Sequence, residues 1–333
     1  SFPVVFFLTL LAMVVGGNKF LKDWGFETVI FSLLIGLFIS NIFSIPKWLK
    51  ESLSSELFVK IGLVLLGTTV LFDDLLKAGA LGLIQSCVVV FTVWNFCFWL
   101  CRKMKIDKEM SLMLSSAVSI CGVSAAVATA GAIKGDKTKL SYVVSLVLVV
   151  AVPMILIMPG LAKLMGLPED MAGAWIGGTI DTTGAVAATG AIYGEVALQT
   201  STIVKFSQNV LLGVAAFLIS IYWSYSKKEV TEEKPTLKVI WLRFPKFVLG
   251  FVAASLVFSF CVAPEVVSDA KPILKNIQGM WFALAFMSIG LETDFKSLIT
   301  SENRRSTYAF LGAQAFNVVF TLLVAWILFG LIA

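Results

Sequence analysis

The sequence predicts an all-α membrane protein built as an inverted repeat, with nine spans plus two broken or re-entrant helices, or alternatively eleven spans. Three observations predict this fold. The chain of 333 residues has a mean hydropathy of +0.93 and only 14% charged residues, whereas a soluble domain carries roughly 25%. Apolar runs of about 20 residues, long enough to cross a bilayer as helices, recur along its whole length. Two further segments, rich in Gly, Ala, Ser and Thr, are copies of each other.

The apolar runs define the predicted spans and one transmembrane domain covering residues 1–333. The spans are predicted at 2–17, 25–45, 53–72, 80–101, 138–160, 197–225, 241–263, 273–293 and 307–332. They leave no room for a separate soluble domain. The net charge of +5 therefore reports membrane orientation through short basic loops, and no nucleic-acid partner is expected.

The two polar segments are Ser111–Gly135 (segment 1) and Gly173–Gly194 (segment 2). Residues 126–135 match residues 185–194 at seven of ten positions, including Ala-Val-Ala and Gly-Ala-Ile. A fainter likeness links the spans that begin near 53 and 273, through the runs LLGTTVLFDDL and SIGLETDFKSL. We therefore predict a first repeat at 53–165 and a second at 166–333. The spans 2–45 and 241–263 would form a scaffold.

Charges bear on the path of segment 1. Arg102 and three Lys residues precede it, and Lys134, Lys137 and Lys139 follow it. A segment that enters and leaves on one face keeps both basic clusters cytoplasmic, as the positive-inside rule prefers. A full crossing of both segments is the alternative. The charged stretch 226–238 is predicted to be a cytoplasmic linker.

Hydroxyl groups cluster around the predicted breaks of both segments. A chain that unwinds at membrane depth must be buried in protein or line a cavity, and half-helices that begin after the breaks would point positive N-termini at one place. Such a place suits an anion. The candidate substrate-binding residues are Ser119, Cys121, Gly122, Val123, Ser124, Thr179, Thr182, Thr183, Gly184, Lys205, Gln208 and Asn209.

Asp181 is the candidate for coupling, because a carboxylate at mid-membrane is costly and by default marks function. It could bind Na⁺, carry a proton, pair with Lys205 or cap the second half-helix. Segment 1 has Gly122 at the equivalent position, so packing symmetry does not require the charge. Lys60 could extend to the membrane surface, and Asn95, Gln314 and Asn317 could hydrogen-bond between helices.

Other function classes find little support in the sequence. It has no His, its five Cys lack CxxC spacing, and it shows no P-loop, nucleophile–base pair or metal-ligand cluster. We expect no enzyme activity, no cofactor and no metal site. An ion channel and an intramembrane enzyme are the rivals to a transporter, and no charged ring or carbonyl filter favours the channel.

The runs SSAVSICGVSAAVATAGAIKG and GGTIDTTGAVAATGAIYG resemble the sulfate exporter family of YeiH-like bacterial inner-membrane proteins, over almost the whole chain. The run Ser119–Ala125 is the most specific part. That family is grouped with the bile-acid, arsenite and auxin transporter superfamily, whose members have inverted repeats and crossed broken helices. The resemblance implies the bacterial inner membrane, an elevator in which a core carries substrate past a scaffold, and sulfate or a related sulfur oxyanion as substrate.

Two departures from the family pattern bear on the substrate. The family usually has basic residues near positions 208 and 69, where this chain has Gln208 and Thr69. This favours a less charged substrate such as a sulfonate. We expect a secondary active transporter of a small anion, coupled to H⁺ or Na⁺, in the lipid bilayer as a homodimer. An anion channel and a transporter of another organic anion are the alternatives.

Overall fold

A computed structural model describes residues 2–16, 28–43, 45–46, 49, 53–227, 241–242, 244–293 and 304–332. The predicted linker at 226–238 lies outside the described residues after Lys227. Within the described part the chain is helical and contains no strand.

Each predicted span contains a helix. In chain order the helices are α1 Phe2–Gly16, α2 Thr28–Ile42, α3 Ser55–Gly67, α4 Phe72–Lys103, α5 Lys108–Ser116, α6 Val123–Ile133, α7 Lys137–Leu164, α8 Glu169–Thr179, α9 Thr183–Tyr193, α10 Glu195–Lys227, α11 Phe247–Leu256, α12 Pro264–Glu292 and α13 Arg304–Ala325. However, α4 begins at Phe72 where 80 was predicted and α12 at Pro264 where 273 was predicted. Helices α5, α11 and α13 continue as π-helical turns at Ala117–Cys121, Val257–Cys261 and Trp326–Ile332. Parts of four helices, α4, α7, α10 and α13, are long and apolar enough to cross a membrane among the residues described. The full span count and the internal repeat stay predictions.

Segment 1 folds back on itself as a helical hairpin, hairpin 1, formed by α5 and α6. Asp107 caps the start of α5 by accepting a hydrogen bond from the backbone N–H of Met110 at 3.1 Å. Lys139, just after the hairpin, donates to Asp107 at 2.8 Å and to Glu109 at 2.9 Å. Glu109 also accepts from the backbone N–H of Asp136. The two ends of hairpin 1 therefore lie side by side.

Segment 2 forms a matching hairpin, hairpin 2, from α8 and α9. Glu169 at its start accepts a hydrogen bond from the backbone N–H of Val196 at 2.9 Å, just beyond its end. The hydroxyl of Tyr193 donates to the carbonyl of Leu167. In each hairpin the first and last residues thus lie side by side, and the tip lies at the opposite end.

The helices pack into two bundles. Bundle A contains α1, α2, α3, α11 and α12, and bundle B contains α4 to α10 with α13. In bundle A, α2 and α12 touch backbone to backbone, because a Cβ on Gly36 would lie 2.6 Å from the carbonyl oxygen of Met287 and one on Gly290 2.6 Å from that of Leu33. Helices α3 and α12, which lie in the two predicted repeats and outside the predicted scaffold spans, pack with the scaffold helices.

Candidate functional site

Hairpin 1 breaks at Gly122. The π-helical turn Ala117–Cys121 ends there, and Gly122 has φ +57°, a conformation that side chains rarely adopt. A Cβ at this position would also lie 2.6 Å from Val147. Helix α6 begins at the next residue, and no side chain caps its N-terminus. Its first backbone N–H groups are therefore available to a ligand.

Hairpin 2 breaks between Thr179 and Thr183. Ile180 is extended, with φ −78° and ψ 133°, and α9 begins at Thr183. The hydroxyl of Thr182 caps α9 by accepting from the backbone N–H of Ala185 at 3.2 Å. Thr182 is therefore the cap, and Asp181, which the sequence offered as an alternative cap, is not.

The two hairpin tips meet inside bundle B. A Cβ on Gly122 would lie 3.3 Å from the Cβ of Asp181 and 3.4 Å from its carbonyl oxygen. These two residues occupy equivalent positions in the two sequence copies. A glycine in one copy thus leaves the space that the carboxylate-bearing residue of the other copy fills.

Lys205 on α10 joins both tips. It is 1% exposed, and its ammonium donates to the carbonyl of Ile120 at 2.6 Å, to that of Ile180 at 2.8 Å and to Gln208 Oε1 at 2.9 Å. All three N–H groups are used. Lys205 therefore holds the unwound backbone of both hairpins.

Side-chain amides satisfy other carbonyls at the breaks. Gln314 donates to the carbonyl of Thr179 at 2.9 Å, and Asn317 donates to the same oxygen at 3.1 Å and to Val118 at 3.2 Å. Gln208 donates to the carbonyl of Gly178 at 3.0 Å. Unwound backbone costs several kcal/mol per unsatisfied group in an apolar medium, so these amides make the breaks tolerable.

A cavity of about 720 Å³ lies beside the tips, between the two bundles. Both half-helix N-termini face it. The predicted site residues that line it are Cys121, Val123, Ser124, Thr182, Thr183, Gly184 and Asn209. Ser124 and Thr183, equivalent in the two copies, stand at the starts of α6 and α9.

The remaining predicted site residues do not line this cavity. They are Ser119, Gly122, Thr179, Asp181, Lys205 and Gln208. Gly122 and Asp181 lie where the two tips meet, and the others lie behind the tips. Ser119 donates to the carbonyl of Ser115 at 2.7 Å inside its own helix. This second group supports the tips from within the protein.

Asp181 is 1% exposed, and its Oδ2 atom has no hydrogen-bond partner among the described residues. Within that same part of the chain it forms no ion pair with Lys205. A buried, unpartnered carboxylate oxygen is costly unless it is protonated or meets a cation. The hydroxyl of Thr179, two residues earlier, is likewise unpartnered.

Sequence reasoning missed the charged wall of the cavity. Glu56, Lys246 and Glu292 line it together with Lys60. Lys60 pairs with Glu56 at 2.9 Å, one helical turn away, and lies over the ring of Phe247. Glu292 accepts a hydrogen bond from Ser55 at 2.8 Å. Glu56, Lys246 and Glu292 sit at helix ends, where charged side chains are ordinary, so no sequence pattern singled them out. Lys60 was noted in the sequence, but as a side chain extending to the membrane surface.

The arrangement can bind an anion through fixed dipoles. Each helix N-terminus carries the equivalent of about +0.5 elementary charge, and its first N–H groups lack intrahelical partners. Hydroxyls of Ser124 and Thr183 stand beside these groups. Nothing in the described residues groups three or more Cys, Asp or Glu as a metal site would.

Comparison with known proteins gives one consistent result. Residues 2–309 match the family model described as conserved hypothetical protein 698. UPF0324 membrane proteins of Rhodopirellula baltica and Nitratidesulfovibrio vulgaris are 39% and 38% identical to the chain over its entire length. The chain spans 63% and 59% of these two relatives. A UPF0324 membrane protein of Nitrosomonas europaea is 28% identical over 90% of the chain and 71% of the relative.

No solved structure matches the chain. The names of these relatives state a membrane location and no substrate. The sulfate exporter resemblance is therefore supported as far as a membrane protein family, and sulfate itself is left to proposal.

Proposed function

The chain belongs to the family described as conserved hypothetical protein 698, and we propose that it is a secondary active transporter of a small anion. Sulfate, a related sulfur oxyanion or a sulfonate is the proposed substrate, and the bacterial inner membrane the proposed location. One observation carries the proposal: two hairpins related in sequence direct their inner helix N-termini at one cavity. Paired broken segments of this kind recur at the substrate sites of secondary transporters.

The proposed anion site is the end of the cavity formed by α6 and α9. The anion would accept hydrogen bonds from the free N–H groups of Val123 and Ser124 and from the hydroxyl of Thr183. Helix N-termini bind anions without a cationic side chain. This supports a substrate with a single negative charge more than a dianion, as do Gln208 and Thr69.

The proposed membrane path makes both hairpins re-entrant. The contacts of Lys139 with Asp107 and Glu109 support this path, because residues before and after hairpin 1 then share one face. The unwound tips would lie at mid-membrane. There they are buried in protein, as non-helical backbone in a membrane must be.

Asp181 is the proposed coupling residue. Its unpartnered Oδ2 beside the tip junction supports binding of H⁺ or Na⁺. A cation there would neutralise the carboxylate at the point where the two hairpins touch. Bundle B would carry this site past bundle A as an elevator, and a homodimer through bundle A is the proposed assembly.

A ligand-stabilisation screen of the purified full-length chain tests the proposal. Unfolding would be followed with sulfate, sulfite, and alkyl sulfonates and carboxylates, each with and without Na⁺ and at two pH values. A ligand that binds the folded chain at 100 times its Kd raises stability by about 2.7 kcal/mol. We expect an anion from this set to stabilise the wild type, and Ser124→Leu or Thr183→Leu to abolish the effect.

The matched control is Ser268→Leu, an exposed serine outside the cavity, which should leave the effect intact. If Ser124→Leu and Thr183→Leu both fold and bind the anion as the wild type does, the site is elsewhere. Concentrative uptake into proteoliposomes then separates a transporter from the alternative, an anion channel, which only dissipates a gradient.

A further inference from the structure

Glu292 is a carboxylate in the cavity with no assigned role. It is the last residue of α12, and Ser55 at the start of α3 donates to its Oε2. Among the described residues no Lys or Arg forms an ion pair with it, since Lys60 pairs with Glu56. A negative charge therefore faces the space in which the anion is proposed to bind.

Glu292 lies close to the N-terminus of α9. A Cβ on Gly184, the second residue of α9, would lie 2.9 Å from Ile289 and 3.2 Å from Val59. Glu292 follows Ile289 by three residues on α12, and its partner Ser55 precedes Val59 by four on α3. Glu292 is thus about one turn of α12, ~5 Å of helix axis, from the residue that makes this contact, and it lines the same cavity as Gly184.

Asn209 provides a second, independent sign of a missing ligand. It is 4% exposed, lines the cavity and donates to the hydroxyl of Thr183 at 3.2 Å. Its Oδ1 atom has no partner in the described part of the chain. A buried acceptor left unmatched costs free energy, and a ligand that donates hydrogen bonds would satisfy it.

The cavity lining carries both positive and negative charge. Two helix N-termini contribute about +0.5 each, and Glu292 contributes one negative charge. Of the other charged lining residues, Lys60 and Glu56 neutralise each other as an ion pair, and Lys246 adds one positive charge. A simple anion would bind beside a like charge, at a Coulomb cost that grows as water is displaced. A ligand with an anionic group at α6 and α9 and an ammonium group at Glu292 meets both charges.

We propose that the cavity binds a small zwitterion, an amino acid or aminosulfonate whose amino group bonds to Glu292. The inference rests on the proposed function and narrows its substrate class. The ammonium has three N–H donors. Glu292 accepts one, and the remaining two are free for acceptors such as Asn209 Oδ1.

Two matched ligand pairs test the inference on the purified wild-type chain. The pairs are β-alanine with propionate, and 3-aminopropanesulfonate with propanesulfonate, which differ only in the amino group. A charge-assisted hydrogen bond corresponds to a change of about tenfold or more in affinity. We expect the amino member of at least one pair to bind about tenfold more tightly, measured by stabilisation titrations.

Glu292→Gln should bring the affinities of that pair together, chiefly by weakening the amino member. Glu265→Gln, an exposed glutamate at the other end of α12, should leave the preference unchanged. Equal binding of both pair members to the wild type would overturn the inference and leave anion transport standing. So would a Glu292→Gln chain that keeps the amino preference and loses only its response to Na⁺.

A failure of the proposed function looks different. In that case neither member of either pair binds, or binding survives both Ser124→Leu and Thr183→Leu. The wild-type comparison needs no substituted chain, so misfolding of Glu292→Gln does not remove the test.

Discussion

Replacing Lys205 by Met should loosen both hairpin tips and destabilise the chain strongly. Methionine is also long and unbranched, but it donates no hydrogen bond. The change removes three bonds from a charged donor, each worth about 1.5–3 kcal/mol. It also strands the carbonyls of Ile120 and Ile180, at about 1–3 kcal/mol each. These terms overlap because they describe the same bonds, so we expect a net loss on the order of 3–5 kcal/mol.

Asp181→Asn should behave differently, although Asp181 sits at the same junction. In the described residues its Oδ2 has no partner and it forms no ion pair with Lys205. Neutralising it therefore breaks no hydrogen bond of Oδ2 and no ion pair among the described residues, and it removes the cost of a buried charge. We expect its stability to stay within about 1 kcal/mol of the wild type or to rise, with dependence on Na⁺ or pH lost.

Both variants can be measured by detergent-induced unfolding in mixed micelles. A second readout is the thiol of Cys121, which is 7% exposed at the tip of hairpin 1. In a background without the other cysteines, Lys205→Met should speed its reaction with a maleimide. The reasoning fails if Lys205→Met is as stable as the wild type. It also fails if Asp181→Asn loses as much stability as Lys205→Met and still responds to the cation.

Three further predictions concern the hairpins and their supports. Cysteines introduced in place of Arg102 and Lys137 should react alike with an impermeant reagent in intact cells, because the proposed re-entrant path returns hairpin 1 to the face on which it starts. Lys139→Met should reduce the loss of stability in acid. Burial alone would raise the pKa of Asp107, but hydrogen bonds from Lys139 and a backbone N–H lower it. The stability that the Asp107 carboxylate contributes is therefore present at neutral pH and lost as pH falls through its folded pKa. Unfolding measured at neutral and acid pH tests this. Gly177→Ala should cost about 1–3 kcal/mol in the same unfolding assay, because its Cβ would overlap the Ser201 backbone.

The controls for these predictions come from the same chain. Gly160→Ala on α7 meets nothing within 4 Å and should be neutral or stabilising by about 0.5–1 kcal/mol. Labelling at only one of the two introduced cysteines would favour crossed helices. An unchanged acid profile in Lys139→Met would show that other carboxylates govern the acid transition.

Local patterns predicted the elements of the fold well. Apolar runs gave the helices, and the repeated small residues around Gly122 and Gly184 gave the positions of both breaks. A π-helical turn such as Ala117–Cys121 could not be foreseen, because no local signal distinguishes it from α-helix. The division of the helices into two bundles was also not predicted, because it depends on the contact between Gly36 and Gly290, which are far apart in the sequence.

The site was predicted only in part, for a physical reason. Ser124 and Thr183 could be found because they occupy equivalent positions in the two sequence copies, each at the start of a predicted half-helix. Lys205 was expected to face a cavity, but in the structure two of its three donors bind hairpin tips that are 85 and 25 residues away in sequence, and the third binds Gln208. Glu292 was missed because a charge at a helix end is unremarkable until the fold places it in the same cavity as two helix N-termini.

Helix α9 is the part of bundle B that packs most extensively on bundle A, against α2, α3 and α12. Six of the 11 residues in its sequence, TGAVAATGAIY, are Gly or Ala, whose side chains reach no farther than Cβ. Helices with large side chains pack with the ridges of one helix in the grooves of the other. Sliding one such helix along the other requires several side chains to leave their packed positions at once. A helix with small side chains has shallow grooves, so the free-energy barrier to sliding a neighbouring helix along it is low. If bundle B moves as proposed, the rate of turnover is then set by the cost of dehydrating the loaded site more than by friction between the bundles. Enlarging one alanine of α9 that contacts bundle A would slow every transport cycle without altering what the site binds.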